Sequence, residues 1–392
     1  MGTYDGAMSH RVAFVGQKNY EPLSLNRSIR RAIELCGFDL NRVRGAKVLL
    51  KPNMLGAYPP SMGVTTHPAF VASVAGIFKD AGAVVSAGDS PNGVYSNEQT
   101  WERTGIRAAC LEAGISEAAF EASGSVARDG LMIARAALDA DYVVNLPKFK
   151  THGLTIMTLA AKNLYGCING MQKTALHREC KNIPEFADVV ARVAGIVKPA
   201  LTIIDGIVAM AGNGPSAGTL VELGVIAAGT DVHALDAACC RLVGLDPREL
   251  DTLAAAQRQG LWDGAEEIDL AGDPLDTLRP KKFSLPVTYT RGMRDWWVSK
   301  FIVARIWSGM RAQPRIDPDI CRRCLLCIDA CPVAAIDQAK TDAAPMIDED
   351  ACIQCFCCHE ICPYRAIDLR KSALLRFAGW MSRRRSRARS TR

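Results

Sequence analysis

Eight cysteines near the end of the chain form two matching runs, Cys321, Cys324, Cys327, Cys331 and Cys352, Cys355, Cys358, Cys362, each spaced C-x2-C-x2-C-x3-C and each followed by proline. Three closely spaced thiolates wrap one corner of an iron-sulfur cubane, while the fourth, before proline, reaches the neighbouring cluster. The spacing therefore assigns Cys321, Cys324, Cys327 and Cys362 to one 4Fe-4S cluster, and Cys352, Cys355, Cys358 and Cys331 to a second. Zinc modules use paired C-x2-C knuckles instead of two complete runs of four, so iron is the expected metal. Such clusters transfer single electrons at potentials from about −700 to +450 mV. Cys357 inside the second run reads as a thiol that is not a ligand, and His359 as a surface residue beside a cluster.

The two runs belong to an internal repeat. Residues 315–337 match 346–368, and the first cysteines, Cys321 and Cys352, stand 31 residues apart. A doubled run of this kind is the mark of the bacterial two-cluster ferredoxin and predicts a small α+β domain over 315–370.

A second group of reactive side chains lies well upstream. Lys148, Lys150 and Lys162 with His152 form a cationic cluster around a strand end and the helix that follows, which suits a carboxylate or phosphate guest. The plainer reading is a set of solvated lysines at a helix end. His67, before Pro68 at a helix start where Thr65 or Thr66 would cap, pairs with His152 as the candidate proton carriers, although a structural histidine explains each equally well. With Lys148, these two histidines are the candidate catalytic residues. Lys51, Asn53, Asp89, Lys150, Lys162 and Asn163 are the expected contacts to a bound cofactor or substrate. Asp89 and Asp205 are candidate partners of the cations, metal ligands, or plain turn residues. Cys36, Cys110, Cys167, Cys180, Cys239 and Cys240 have no metal-site spacing and read as small buried apolar residues.

The elements that must position these groups show in the periodicity. Short apolar runs at 11–15, 46–51, 83–88, 141–146, 201–205 and 223–228 read as strands. Helical patterns occupy 27–36, 68–80, 97–113, 154–165, 184–197, 231–243 and 248–259, with Asn26 and Asp231 as start signals. The alternation predicts an α/β fold: a three-layer body with a largely parallel sheet over 1–280, whose polar strand-end turns gather around one crevice. Residues 281–314 read as a linker with one amphipathic helix carrying Trp296, Trp297 and Trp307, and 371–392 as a basic tail. Gly212-Asn213-Gly214-Pro215 reads as a mobile lid or a long connection. No GxGxxG follows the first strand, so a standard dinucleotide site has no support.

Composition sets the class. With 49% apolar and 22% charged residues the chain is an ordinary globular one. No leader-like start or run of about 18 apolar residues is present, so the expected address is the cytoplasm, whose reducing conditions leave thiols free to bind metal. The tail holds one Lys, seven Arg and no acid, a charge of +8 against a whole-chain net of +6, which leaves the rest slightly acidic. Together with the flanking tryptophans, Trp380 among them, this allows peripheral contact with anionic lipid. Nucleic acid would meet only the tail, and nothing else supports that role.

The polar motifs Lys51-Pro52-Asn53, Thr65-Thr66-His67-Pro68, Gly88-Asp89-Ser90, Asn145 to His152, Ala161 to Gly166 and Asp205-Gly206, with the C-terminal cysteine runs, resemble the domain of unknown function 362 (DUF362) family of iron-sulfur proteins. The resemblance spans about residues 10–370 and implies a fold and a cofactor but no settled reaction. The same order of motifs is faintly similar to nickel-dependent lactate racemase, in which His and Lys serve a bound nickel cofactor. The expected function is a ferredoxin-coupled oxidoreductase that passes electrons between two 4Fe-4S clusters and an anionic small molecule in the crevice, with a redox partner protein or a small electron donor or acceptor. The alternatives are an electron-transfer or assembly subunit of a larger redox complex, and a racemase-like enzyme with a further metal or organic cofactor.

Overall fold

The computed structural model describes residues 10–91, 93–170, 172–264, 267–289 and 312–370. Most of the expected linker and all of the basic tail, with Trp296, Trp297, Trp307 and Trp380, lie outside the described residues.

The strands of the body are β1 (Arg11–Gly16), β2 (Lys47–Pro52), β3 (Val84–Ala87), β4 (Ser116–Glu117), a separate hairpin of β5 (Ser125–Arg128) and β6 (Leu131–Ala134), β7 (Tyr142–Leu146), β8 (Lys148–His152), β9 (Ile156–Thr158), β10 (Leu201–Ala211), β11 (Thr219–Gly229) and β12 (Asp269–Gly272). The main sheet runs β12-β1-β11-β10-β7-β2-β3-β4, and β8 joins β10 and carries β9. Pairing is parallel from β10 through β7, β2 and β3 to β4, while β11 lies antiparallel between β1 and β10.

Alternate side chains of each strand enter opposite cores, which is why the body has three layers. Val48, Leu50, Val144 and Leu146 pack with the helices Pro22–Leu35, Pro68–Asp80 and Ile106–Ala113. Leu49, Val143, Ile204 and Ala227 face the helices Ile183–Val197, Val232–Leu242 and Asp251–Arg258 on the other side. This is the α/β fold expected from the periodicity.

Several local readings change. The expected helix 97–113 is two, Asn97–Thr104 and Ile106–Ala113, because Gly105 takes a left-handed φ of 72° between them. Over 154–165 a strand precedes a shorter helix, Ala160–Leu164, which starts where buried Asp236 accepts the N–H groups of Ala160 and Ala161 at 2.7 and 3.1 Å. The first helix is capped by Glu21, not started at Asn26. Residues 212–218 join β10 and β11 in a long antiparallel hairpin, so the Gly-Asn-Gly-Pro segment is a hairpin loop.

The C-terminal region is a small α+β unit with an internal near-repeat. β13 (Gln313–Ile316) pairs with β16 (Ile367–Arg370), and β14 (Ile336–Asp337) with β15 (Met346–Ile347). Two short helices, Leu326–Asp329 and Cys357–Ile361, stand at equivalent places in the halves.

Candidate functional site

The cysteine loops fold alike in both halves. Arg323 and Gln354, Leu325 and Phe356, and Ala334 and Arg365 all take left-handed φ values between 51° and 63°. Each such residue costs roughly 1 kcal/mol without a glycine's freedom, so six in one small unit mark a constraint shared by both halves. These turns aim backbone N–H groups at sulfur: Ala335 donates to Cys331 Sγ at 3.2 Å, Ala366 to Cys362 Sγ at 3.3 Å, and Arg323 to Cys321 Sγ at 3.4 Å. Cys358 and Cys362 sit in one small core, and Cys321, Cys327 and Cys331 of the other run pack against it. Thiol donors that accept N–H bonds from tightly turned loops fit iron-sulfur clusters. Cys324 is exposed, whereas Cys358 and Cys362 are buried.

The body clasps this unit through one helix end. The short helix Cys357–Ile361 leaves its last carbonyls without intrahelical partners. Ser216 Oγ donates to the carbonyl of His359 at 3.1 Å, Tyr58 Oη to that of Glu360 at 2.8 Å, and Tyr95 Oη to that of Ile361 at 3.1 Å. His359 is not a surface residue: it is 1% exposed, with its ring nitrogens 2.6 Å from the carbonyl oxygen of Ile367 and 2.9 Å from that of Asn213. Asn213 also donates to Asp368 at 3.1 Å, so the hairpin loop holds the ferredoxin unit and is no lid.

Beside this junction lies a cavity of about 90 Å³. Asn53, Asp89, Lys150, His152, Lys162 and Asn163, all singled out in the sequence, line it together with Ala330, Cys357 and Glu360 of the ferredoxin unit. The carboxyl ends of β2, β3 and β7 converge there, as open α/β sheets bring strand ends to a ligand crevice. A buried polar chain forms its floor. Lys150 donates to Asn53 at 2.9 Å, Asn53 to Asn163 at 2.8 Å, and Asn163 to Asn145 at 2.8 Å. Lys51 is fully buried against Asp89 at 2.7 Å.

His67 and Lys148 fall elsewhere. Lys148 donates to Asp205 and to Tyr20, each at 2.8 Å, and Asp205 also accepts from Tyr20 at 2.9 Å and from the His67 backbone at 3.0 Å. The His67 ring stacks on Tyr20 with centroids 3.7 Å apart, and its Nδ1 caps its own helix by accepting from Ala69. The cap is the histidine and neither threonine. His67 and His152 are thus not brought together, because β8 carries Lys148, Lys150 and His152 in a row along one face and only the last two reach the cavity.

Burial dominates the electrostatics. It pushes the Lys150 ammonium down to about 7, Lys173 to about 8 and the His177 imidazole to about 3, and the Glu360 carboxyl up to about 7. His152 is held well below its usual range by burial, then by Lys162 and Lys150. Its Nδ1 accepts from the Leu154 backbone at 3.0 Å, so the neutral ring carries its proton on Nε2, 3.2 Å from Glu360 Oε1. That contact has ion-pair distance without hydrogen-bond geometry, and with the imidazole held neutral it is not a salt bridge.

Thr158, Tyr165, Lys173, His177, Cys357 and Glu360 line the same cavity and were not anticipated as site residues. Lys173 and His177 share one face of the helix Gln172–Glu179 at i, i+4 spacing, a signal present in the sequence. Cys357 and Glu360 were hidden inside the second cysteine run.

A model of the family described as domain of unknown function (DUF362) matches residues 48–241, and one described as a 4Fe-4S dicluster domain matches 313–363. The thylakoid-associated protein sll1697 of Synechocystis sp. is 37% identical over 267 residues, 67% of this chain and 83% of that protein. The chain belongs to the DUF362 family. Like the family resemblance read from its motifs, it joins this domain to a C-terminal 4Fe-4S ferredoxin domain and is an iron-sulfur protein. The lactate racemase apoprotein of Thermoanaerobacterium thermosaccharolyticum matches with a TM-score of 0.38 and 14% identity, over 62% of this chain and 58% of that one. A likeness so slight says nothing of chemistry.

Proposed function

We propose that this DUF362 protein is an oxidoreductase that exchanges electrons with a small anionic guest held in the junction cavity. One observation carries the reading: the cavity is lined from one side by Lys150, Lys162 and Lys173, and from the other by Ala330 and Cys357, the immediate neighbours of Cys331 and Cys358. Cys331, Cys352, Cys355 and Cys358 would hold the cluster nearer the guest, and Cys321, Cys324, Cys327 and Cys362 the outer one. The two clusters supply one-electron transfer. The lysines draw an anion to the cavity and His152 offers it an Nε2 proton donor, while the clasp on helix Cys357–Ile361 fixes the distance between guest and cluster ligands.

Anaerobic holoprotein, reduced with dithionite and mixed with a panel of small anionic metabolites, tests this. One chemical class should oxidise the clusters and restore their absorbance, and silence across the panel would remove the basis of the proposal. Metal analysis separates the alternatives: about eight iron per chain fits this reading, whereas added stoichiometric nickel or zinc favours a racemase-like centre in the body.

Membrane contact is a second proposal, favoured by the name of the thylakoid-associated relative and by the +8 charge of residues 371–392. Among the described residues no helix is long and apolar enough to cross a membrane. Co-sedimentation with anionic liposomes, with and without residues 371–392, decides it.

A further inference from the structure

We infer that Thr158, Lys162 and His177 form the recognition subsite of the junction cavity, and that its guest is a small monocarboxylate and not a nucleotide. The inference rests on the cavity being the guest site, as proposed above, and adds what the guest is and which side chains read it.

The three lysines on the cavity wall are not equivalent. Lys150 donates to Asn53 at 2.9 Å and to the Val64 carbonyl at 2.6 Å, and Lys173 to Ser90 Oγ at 2.8 Å and the Pro91 carbonyl at 2.9 Å. Among the described residues, Lys162 has neither a hydrogen bond nor an ion pair. Its ammonium lies 4.5 Å from the Tyr165 ring centroid and 5.5 Å from that of Phe186. Aromatic faces hold a cation in place yet satisfy none of its three N–H donors. Lys162 is therefore a positioned cation with its donors open to a guest.

Two neighbours share that condition. Thr158 is 4% exposed and its Oγ1 has no hydrogen-bond partner. A buried hydroxyl left unpaired costs roughly 1–3 kcal/mol, which a ligand oxygen would recover. His177 stacks on Phe186 with centroids 4.5 Å apart, and no described residue bonds its ring nitrogens. Held neutral by burial, it offers one N–H. A cation, a hydroxyl and an imidazole N–H together form a donor set for an oxyanion.

Size and charge narrow the class. An apolar cavity of about 150 Å³ admits benzene, so one of about 90 Å³ has room for roughly four heavy atoms, the size of acetate. A nucleotide is several times larger. Of the three cavity lysines only Lys162 is uncommitted, and a single open ammonium suits a monoanion better than a phosphate dianion.

The test is calorimetric titration of anaerobic, iron-replete holoprotein with acetate, inorganic phosphate and adenosine monophosphate. Acetate should bind one to one, at least about tenfold more tightly than the other two. Lys162→Met should weaken acetate binding by about tenfold or more, and Thr158→Val by several-fold, as expected when charged and neutral hydrogen bonds are lost. Lys181→Met, which removes one exposed cation outside the site, should leave binding unchanged. Thr158→Val alters no charge and decides the matter should Lys162→Met lose its iron. Failure of acetate to bind, equal binding of adenosine monophosphate, or full affinity in both variants would overturn the inference. Tight acetate binding with clusters inert to every guest would keep the subsite and discard the electron-transfer reading. A guest that oxidises the clusters equally well in Lys162→Met would do the reverse.

Discussion

Tyr58 Oη donates to the carbonyl oxygen of Glu360 at 2.8 Å, and the same glutamate turns its side chain into the cavity beside His152. The bond ties the floor of the α/β body to a helix that begins one residue before an expected cluster ligand. Tyr58 is fully buried, so water cannot easily replace it. Tyr58→Phe should cost roughly 1–3 kcal/mol by stranding that carbonyl. Hydrogen exchange of residues 356–362 should quicken while those in β2 and β7 stay protected. Unchanged exchange would show that the clasp does not hold the helix.

Gly166 is required by close approach, not by its backbone angle. A Cβ there would lie 2.2 Å from Asp89 Oδ1 and 2.7 Å from Lys51 Nζ. Gly166→Ala must force this buried pair apart, and overpacking of this kind costs about 1–3 kcal/mol. We expect a lower unfolding midpoint in urea together with weakened guest binding, because Asp89 also lines the cavity. A variant as stable as the parent would contradict the observed packing.

The expected cross-over of cysteine ligands between halves makes a selective prediction. Cys331→Ser should lose about half of roughly eight irons, from the cluster expected to be completed by Cys352, Cys355 and Cys358. Cys357→Ser, although it changes the next thiol to Cys358, should keep them all. Equal iron loss in both would exchange their roles.

That contrast shows where the sequence was informative. A cluster writes its ligands into local spacing, so the sequence alone offers the eight cysteines as candidate ligands together with an expected pairing between halves. Strand-end motifs likewise located Asn53, Asp89, Lys150, His152, Lys162 and Asn163, which the fold gathers around one cavity. What stayed hidden depends on contacts between distant segments. β8, Lys-Phe-Lys-Thr-His after a proline, reads as a polar turn; only the structure reveals that Asp205 and Asn53 make buried lysines tolerable there. The helix Gln172–Glu179 is mostly polar, with Leu176 its one fully buried side chain and Lys173 and His177 half-buried, so periodicity could not announce it. That His67 faces Tyr20 instead of the cavity is a matter of neighbours, not of spacing.

Asp236 gives the fold a pH dependence with a definite sign. Burial pushes its carboxyl up to about 7, although it accepts two backbone N–H bonds. In the unfolded chain the group titrates near 4, so between about pH 4 and 7 the folded state binds the proton more strongly. Its contribution to stability is therefore complete below pH 4 and is lost as pH rises through 7. Asp236→Asn removes this slope: the stability gap between parent and variant should be larger at pH 6 than at pH 8, as measured by urea unfolding. A constant gap would place the carboxyl's titration outside that window.

The claim on which the account turns is that the cavity holds its guest within reach of the ferredoxin cysteines. Electron-nuclear double resonance of the reduced holoprotein with isotope-labelled acetate measures it directly. The account predicts a hyperfine coupling between acetate nuclei and a reduced cluster that disappears in Lys162→Met while the cluster signal itself remains. A reduced cluster with full signal and no coupling to saturating acetate would contradict it.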